Sequence, residues 1–218
     1  MKYKTFIFDF DYTLADATPG IVECVNYALN KAGLKPADDN NIKKHVGKTL
    51  NDIFFELTGV KDDTAAVSFV SDFIFMAAKV MTENTILLND TIDILSKLKL
   101  NGCNTAIVST KLRRRIEEAL EKYNITNLID FVIGLEDVAS AKPSPEGLLK
   151  SVDYFGNNKD SVLYIGDSLI DANTAANAFV DFAAVTTGTT KKEDFLKLPH
   201  VFIAKNLTEL FEHVSDMK

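Results

Sequence analysis

The chain has 218 residues, 46% of them hydrophobic and 25% charged, the balance of an ordinary soluble globular protein rather than of a disordered or fibrous one. That length exceeds the commonest single-domain size and predicts one compact core carrying a modest insertion. The formal net charge of -7, from 24 basic and 31 acidic residues, would repel a phosphate backbone and argues against a nucleic-acid partner.

Lys2 and Lys4 precede an apolar run, but Asp9 and Asp11 interrupt it before the core of a signal peptide can form. The run itself, Thr5 to Phe8, predicts a short strand buried on both faces. From Asp16 to about Leu88 the strand signal gives way to helical periodicity. Thr18 is the expected N-cap of the first helix, with Pro19 at its first position, Ile21, Val22, Val25, Leu29 and Ala32 on one face, and a stop at Gly33. Leu50 to Leu57 and Val67 to Met81 predict further helices. The second of these contains Asp72 and Lys79 and is too short to span a bilayer, so it reads as a buried helix.

Beyond residue 88, apolar runs alternate with helical patterns. The runs are Thr105 to Val108, Phe131 to Ile133, Val162 to Ile165, Ala183 to Val185 and Val201 to Ile203. Among the helices, Arg113 to Tyr123 turns Ile116, Ala119, Leu120 and Tyr123 inward. Another opens at Ser144-Pro145, buries Leu148, Leu149, Val152 and Phe155, and closes at Gly156. The alternation predicts an α/β fold with a doubly wound parallel sheet, its core domain drawn from 1–15 and 86–218, and an inserted small α-helical domain over 16–85. Cys24 and Cys103 lie far apart in apolar contexts and read as reduced core thiols, which fits a cytoplasmic protein.

In open parallel sheets, ligands bind beyond the carboxyl ends of the strands. Three predicted strands end in polar residues: Asp9, Ser109, and Gly166-Asp167. Asp11, Thr13 and Asp171 lie about a turn further out, and Lys142 sits on a neighbouring loop. Four carboxylates, an ammonium and hydroxyl groups suit a phosphoryl group held with a hard cation such as magnesium, since the acids alone would repel a phosphate. Asp9 can then act as nucleophile, and Asp11 can protonate the leaving oxygen and later deprotonate water, with Lys142 and Ser109 on the phosphoryl oxygens.

Each residue also has a plainer reading. An aspartate pair after a strand can be a turn and cap device, Ser109 a helix N-cap, and Lys142 a solvated loop charge, although Pro143 restricts its backbone. Lys111 and Arg113-Arg114-Arg115 read as an exposed helix face, a basic first turn being electrostatically unfavourable. His45, His200 and His213 lack metal-ligand spacing, and Gly47-Lys48 reads equally as a helix-helix turn. The ordered company of Lys142, Asp167 and Asp171 favours the catalytic reading of the aspartates.

In chain order these residues resemble the motifs of the haloacid dehalogenase superfamily of phosphatases. Asp9-Phe10-Asp11-Tyr12-Thr13 is similar to its first motif, Ser109 to its second, Lys142-Pro143 to its third, and Gly166-Asp167-Ser168-Leu169-Ile170-Asp171 to its fourth. The resemblance implies a Rossmann-like core with a small helical cap. It implies Asp9 as nucleophile, Asp11 as acid and base, and Mg2+ held by Asp9, the Asp11 backbone carbonyl and Asp167, with Asp171 in support. It extends phosphate or substrate binding to Thr13, Ser109, Thr110, Lys111, Lys142 and Lys48.

The inserted helices resemble the cap of the phosphoglycolate phosphatase and β-phosphoglucomutase branch, in which Thr13 favours the phosphatases. Val108-Ser109-Thr110-Lys111 looks closest to phosphoglycolate phosphatase and pyrophosphatase members. Tyr12 and Phe179 each stand where the family frequently has glycine. The implied protein is a cytoplasmic, magnesium-dependent phosphatase, monomeric or a weak homodimer, acting on a small phosphorylated metabolite. Phosphoglycolate is the first candidate, and a pyrophosphatase or a sugar phosphomutase the alternative. A phospho-acceptor signalling domain is the rival from another class; it places its acidic pair on the first strand, whereas here an acidic pair comes late, at Asp167 and Asp171.

Overall fold

In the computed structural model, which describes residues 1–217, the chain opens with β1 (Thr5–Phe8) and passes by β2 (Ala15–Asp16) into four helices. These are α1 (Thr18–Lys31), α2 (Asp39–Lys43), α3 (Leu50–Thr58) and α4 (Asp63–Val80). The chain returns by β3 (Ile86–Leu87), and then helices and strands alternate: α5 (Thr91–Leu100), β4 (Asn104–Val108), α6 (Arg113–Lys122), β5 (Phe131–Ile133), α7 (Glu146–Phe155), β6 (Val162–Gly166), α8 (Leu169–Ala178) and β7 (Asp181–Val185). A short α9 (Lys192–Phe195), β8 (Phe202–Ala204) and α10 (Leu207–Ser215) complete it. Two compact units result, Met1–Ala15 with Leu87–Lys218 as one and Asp16–Ile86 as the other. Where the chain passes between them, β2 and β3 pair as a separate two-stranded sheet.

The first unit is built on a six-stranded sheet in the order β5-β4-β1-β6-β7-β8, with every pairing parallel. Side chains alternate across it because successive residues of a strand face opposite ways. Phe6, Phe8, Ile107, Leu163 and Ile165 pack with Ile94, Leu95, Leu98 and Leu210. Ile7, Ala106 and Tyr164 pack in a second layer with Leu148, Val152, Ala172 and Ala175. Helices therefore cover both faces, the doubly wound arrangement that the six apolar runs predict. The chain builds β4 and β5 on one side of β1 and then β6, β7 and β8 on the other, so the strand order switches direction at β1. In such sheets the switch point leaves a crevice beyond the strand ends.

The second unit packs Cys24, Leu29, Ile42, Phe54, Phe69 and Phe73 into its own core. Three of its helices start at side chains that accept backbone N–H groups: Asp38 before α2, Thr49 before α3 and Asp62 before α4. Between α2 and α3 the chain turns through Gly47, whose φ of +92° suits glycine.

Several local expectations change. The N-cap of α1 is Ala17, not Thr18, because Asp16 Oδ1 already accepts the Thr18 N–H at 2.8 Å. Capping by Asp62 starts α4 four residues before Val67. That helix is not buried all round either: Val67 and Phe75 are 66% and 51% exposed. Ser144 accepts the Glu146 N–H at 3.3 Å, and Pro145, not Ser144, is the N-cap of α7. Helix α8 ends at Phe179 in the left-handed region, φ +55°, a conformation that glycine adopts without strain. Both cysteines are buried, and no helix among the described residues is long and apolar enough to cross a membrane.

Candidate active site

Asp9 follows β1 directly and continues its ladder, donating its N–H to Ile165 O at 2.8 Å. The next residues wind around one carbonyl: Phe10 O accepts from the N–H groups of Thr13, Leu14 and Ala15 at 3.2, 2.9 and 3.1 Å. Winding this tight puts Tyr12 in the left-handed region, φ +59°, where glycine would be unstrained. The Thr187 hydroxyl, from the segment after β7, donates to Tyr12 O and ties the loop down. Asp9, Asp11 and Thr13 are all buried.

Ser109 follows β4, donates its N–H to Ile133 O and accepts the Lys111 N–H on Oγ at 3.3 Å. It is not the N-cap of α6; that is Leu112, and the Glu136 carboxylate accepts the Arg113 N–H at 3.0 Å. Together with the Arg113 Nη2 to Asp137 Oδ1 pair at 2.8 Å, this offsets the basic first turn that looked unfavourable. Thr110 is half-buried beside Ser109. Lys111 is not on an exposed face. Its Nζ lies 3.1 and 3.0 Å from the two carboxylate oxygens of Asp11 and 5.7 Å from the Phe10 ring centroid, with both members of the ion pair withdrawn from water.

Lys142, joined to Pro143 by a cis peptide bond, buries its ammonium among acids. Nζ lies 3.0 Å from Asp9 Oδ1 and 2.6 Å from Asp171 Oδ1, and it donates to the Tyr164 hydroxyl at 3.1 Å. Asp171 Oδ2 accepts from Ser168 N at 3.1 Å and Ser168 Oγ at 2.5 Å, while Ser168 Oγ accepts the Asp171 N–H. This reciprocal cap starts α8 and fixes the carboxylate at the helix N-terminus, where negative charge is favoured. Asp167 follows β6. A Cβ on Gly188 would come 1.9 Å from its Oδ2, and one on Gly166 would come 2.4 Å from Asp171 Cγ, so both glycines are needed for backbone to approach the acids.

Burial and neighbouring charge set the protonation here. Burial pushes Asp9 up from 3.8 to about 6, against the pull of Lys142. Burial and the charge of Asp171 raise Asp167 well above the usual carboxylate range. For Lys142, burial acts downward, but the charges of Asp171 and Asp9 outweigh it and hold the ammonium well above its ordinary value. Burial and Asp171 likewise keep the Tyr164 hydroxyl protonated.

Asp9, Asp167 and Asp171 each offer a carboxylate oxygen within 4.8 Å of the others, an oxygen-only donor set that suits a hard divalent cation. Two buried oxygens point the same way: Asp9 Oδ1, ion-paired but not hydrogen-bonded, and Thr13 Oγ1, with no hydrogen-bond partner among the described residues. Asp171 already has both oxygens engaged and is better suited to support than to direct ligation. Asp9, Asp11, Thr13, Ser109, Thr110, Lys111, Lys142, Asp167 and Asp171 all belong to the α/β unit, after β1, β4, β5 and β6. Lys48 belongs to the helical unit, where it and His45 share the Glu56 carboxylate at 2.5 and 2.6 Å. Sequence reasoning missed Tyr164, Thr187 and Gly188. The strand-end rule, applied to the polar run 186–190 after β7, would have found the last two.

The model of the haloacid dehalogenase-like hydrolase family matches residues 6–185. A phosphoglycolate phosphatase of Rhodobacter capsulatus is 30% identical over 197 residues, covering 89% of each chain. A pyrophosphatase PpaX of Bacillus cereus is 26% identical over 218 residues, covering 100% of this chain and 99% of its own. Among solved structures, one described as a haloacid dehalogenase-like hydrolase of Bacteroides fragilis shares 42% identity with a TM-score of 0.93, over 96% of this chain and all of that one.

The raised Asp9 carboxyl makes a prediction about stability. A carboxyl whose pKa rises from 3.8 to about 6 on folding binds its proton more tightly folded than unfolded; it favours the fold at low pH and loses that contribution as pH rises through about 6. Asparagine carries no such dependence. In chelator, Asp9→Asn should stabilise the protein by about 2 to 3 kcal/mol at about pH 8 and change it little at about pH 3.5, below the unfolded value, as read by urea denaturation. Destabilisation at the higher pH, or the same effect at both, would contradict this electrostatic picture.

Proposed function

The chain belongs to the haloacid dehalogenase-like hydrolase family, and from that premise we propose that it hydrolyses a small phosphate ester through a phosphoryl group carried transiently on Asp9. The observation that carries the reading is the place of Asp9. It stands at the switch point of the sheet, buried, with the Lys142 ammonium 3.0 Å from one oxygen and Asp11 two residues further on. In the first half-reaction an Asp9 carboxylate oxygen attacks phosphorus as the ester P–O bond breaks, and the leaving oxygen takes a proton from Asp11. In the second, a water oxygen attacks the same phosphorus, Asp11 takes the water's proton, and the acyl phosphate bond breaks to release phosphate and restore Asp9. Lys142 and Ser109 hold non-bridging oxygens, with Thr13, Thr110 and Lys111 beside them.

Asp9, Asp167 and the Asp11 backbone carbonyl would hold magnesium, with Asp171 in support. Bound there, magnesium supplies positive charge that offsets repulsion between these acids and a phosphate. The helical unit is read as the cap that selects the substrate, Lys48 included. Phosphoglycolate is the first substrate, on the relative at 30% identity. Pyrophosphate is the second, favoured by relatives named PpaX that match end to end. Two buried cysteine thiols support a reducing, cytoplasmic setting.

A screen of phosphate release from phosphoglycolate, pyrophosphate, sugar phosphates and nucleotides should give magnesium-dependent turnover on at least one small substrate and none in excess chelator. Full activity in chelator, or no release from any, contradicts the proposal.

Asp11 has a more particular signature. Asp11→Asn should lower turnover of alkyl phosphates by roughly 10² to 10⁴, the usual range for a positioned acid and base. With p-nitrophenyl phosphate, whose leaving group needs little protonation, rapid quench should show a burst near one equivalent followed by slow turnover. Unchanged steady-state rates on both ester types would assign the proton transfer elsewhere.

A further inference from the structure

Tyr164 is a fully buried phenol in the middle of β6, flanked by Leu163 and Ile165 and set opposite Ile7 on β1. An aliphatic side chain would satisfy that packing, and a buried hydroxyl without partners costs stability. Here the hydroxyl has partners, and they belong to the site. It accepts from Lys142 Nζ at 3.1 Å, and its one proton is shared between Asp171 Oδ1 at 2.9 Å and Val108 O at 3.1 Å, the carbonyl just before Ser109. Lys142 has three ammonium protons and three oxygens within reach, those of Asp9, Asp171 and Tyr164. The ring packs against Phe182, 6.3 Å between centroids, so the hydroxyl is held on a rigid arm.

From this geometry we infer that Tyr164 is a positioning residue for the phosphoryl site: its hydroxyl fixes the Lys142 ammonium against Asp9 and couples the end of β4 to the start of α8. The inference rests on the proposed role of Asp9 and Lys142 in handling the phosphoryl group. Tyr164 touches neither substrate nor reacting atoms and acts through Lys142. Without the hydroxyl, the ammonium keeps only carboxylate partners on one side and can swing towards Asp171, whose contact is the shorter one.

Four proteins test this: the native chain, Tyr164→Phe, Lys142→Met and the double variant. Each is compared by urea denaturation in chelator, and by calorimetric binding of orthovanadate with magnesium present. Tyr164→Phe should weaken vanadate binding roughly tenfold while Lys142 is present and under about twofold in the Lys142→Met background, since contacting groups couple and independent ones add. The urea midpoints should couple in the same sense. Equal losses in both backgrounds, or none in the native one, overturn the inference.

Should Lys142→Met fail to fold or no longer bind vanadate, steady-state kinetics of Tyr164→Phe decide. A roughly tenfold fall in kcat with KM held supports positioning, and an unchanged kcat overturns it. If the native chain neither binds vanadate nor cleaves phosphate esters, the proposed function fails, and the urea midpoints in chelator still report whether Tyr164 and Lys142 are coupled.

Discussion

Lys142 Nζ sits between Asp9 Oδ1 and Asp171 Oδ1, at 3.0 and 2.6 Å, with all three side chains nearly withdrawn from water. Asp167 lies in the same cluster. Three buried carboxylates and one ammonium leave two negative charges when all are ionised, and withdrawing each ion from water costs several kcal/mol unless it is paired. The raised pKa values of Asp9 and Asp167 are the sign of that incomplete compensation. An oxygen-only donor set of this charge suits a hard divalent cation.

The rest of the α/β unit serves to hold these charges together. A parallel sheet brings the ends of β1, β4 and β6 side by side, so groups more than 150 residues apart in the chain, Asp9 and Asp167, meet at its edge. Gly166 and Gly188 keep Cβ atoms out of the space that Asp171 and Asp167 occupy. Ser168 commits Asp171 to the N-terminus of α8, and Tyr164 braces Lys142 from the apolar side. Lys111 plays a similar part for Asp11, so each of the two aspartates of the first loop has its own ammonium.

The six strands of the main sheet could be read from the sequence because a strand buried on both faces must be continuously apolar, and helices such as α6 and α7 between them carry a clear 3.6-residue stripe. The meeting of Asp9, Ser109 and Asp167 followed from the same reading, since polar residues at successive strand ends of a parallel sheet share one edge. What escaped were contacts that local pattern does not encode. Lys111 follows Asp11 by 100 residues, and helical periodicity alone put it with the solvated charges; the structure buries it against a carboxylate instead. Tyr164 was hidden inside an apolar run, where its ring behaves as any core side chain and only its hydroxyl differs. Phe179 and Tyr12 were noticed as odd residues, but their positive φ angles come from how a helix ends and a loop closes.

The central claim is that Asp9 carries the phosphoryl group, and chemical trapping tests it most directly. The protein, mixed with magnesium and a phosphate ester that it turns over, is quenched in acid and reduced with borohydride, which converts an acyl phosphate of aspartate to homoserine. Its peptides are then mapped by mass spectrometry. The account predicts homoserine at position 9 and at no other aspartate; homoserine elsewhere, or none in a preparation that steadily releases phosphate, would contradict it.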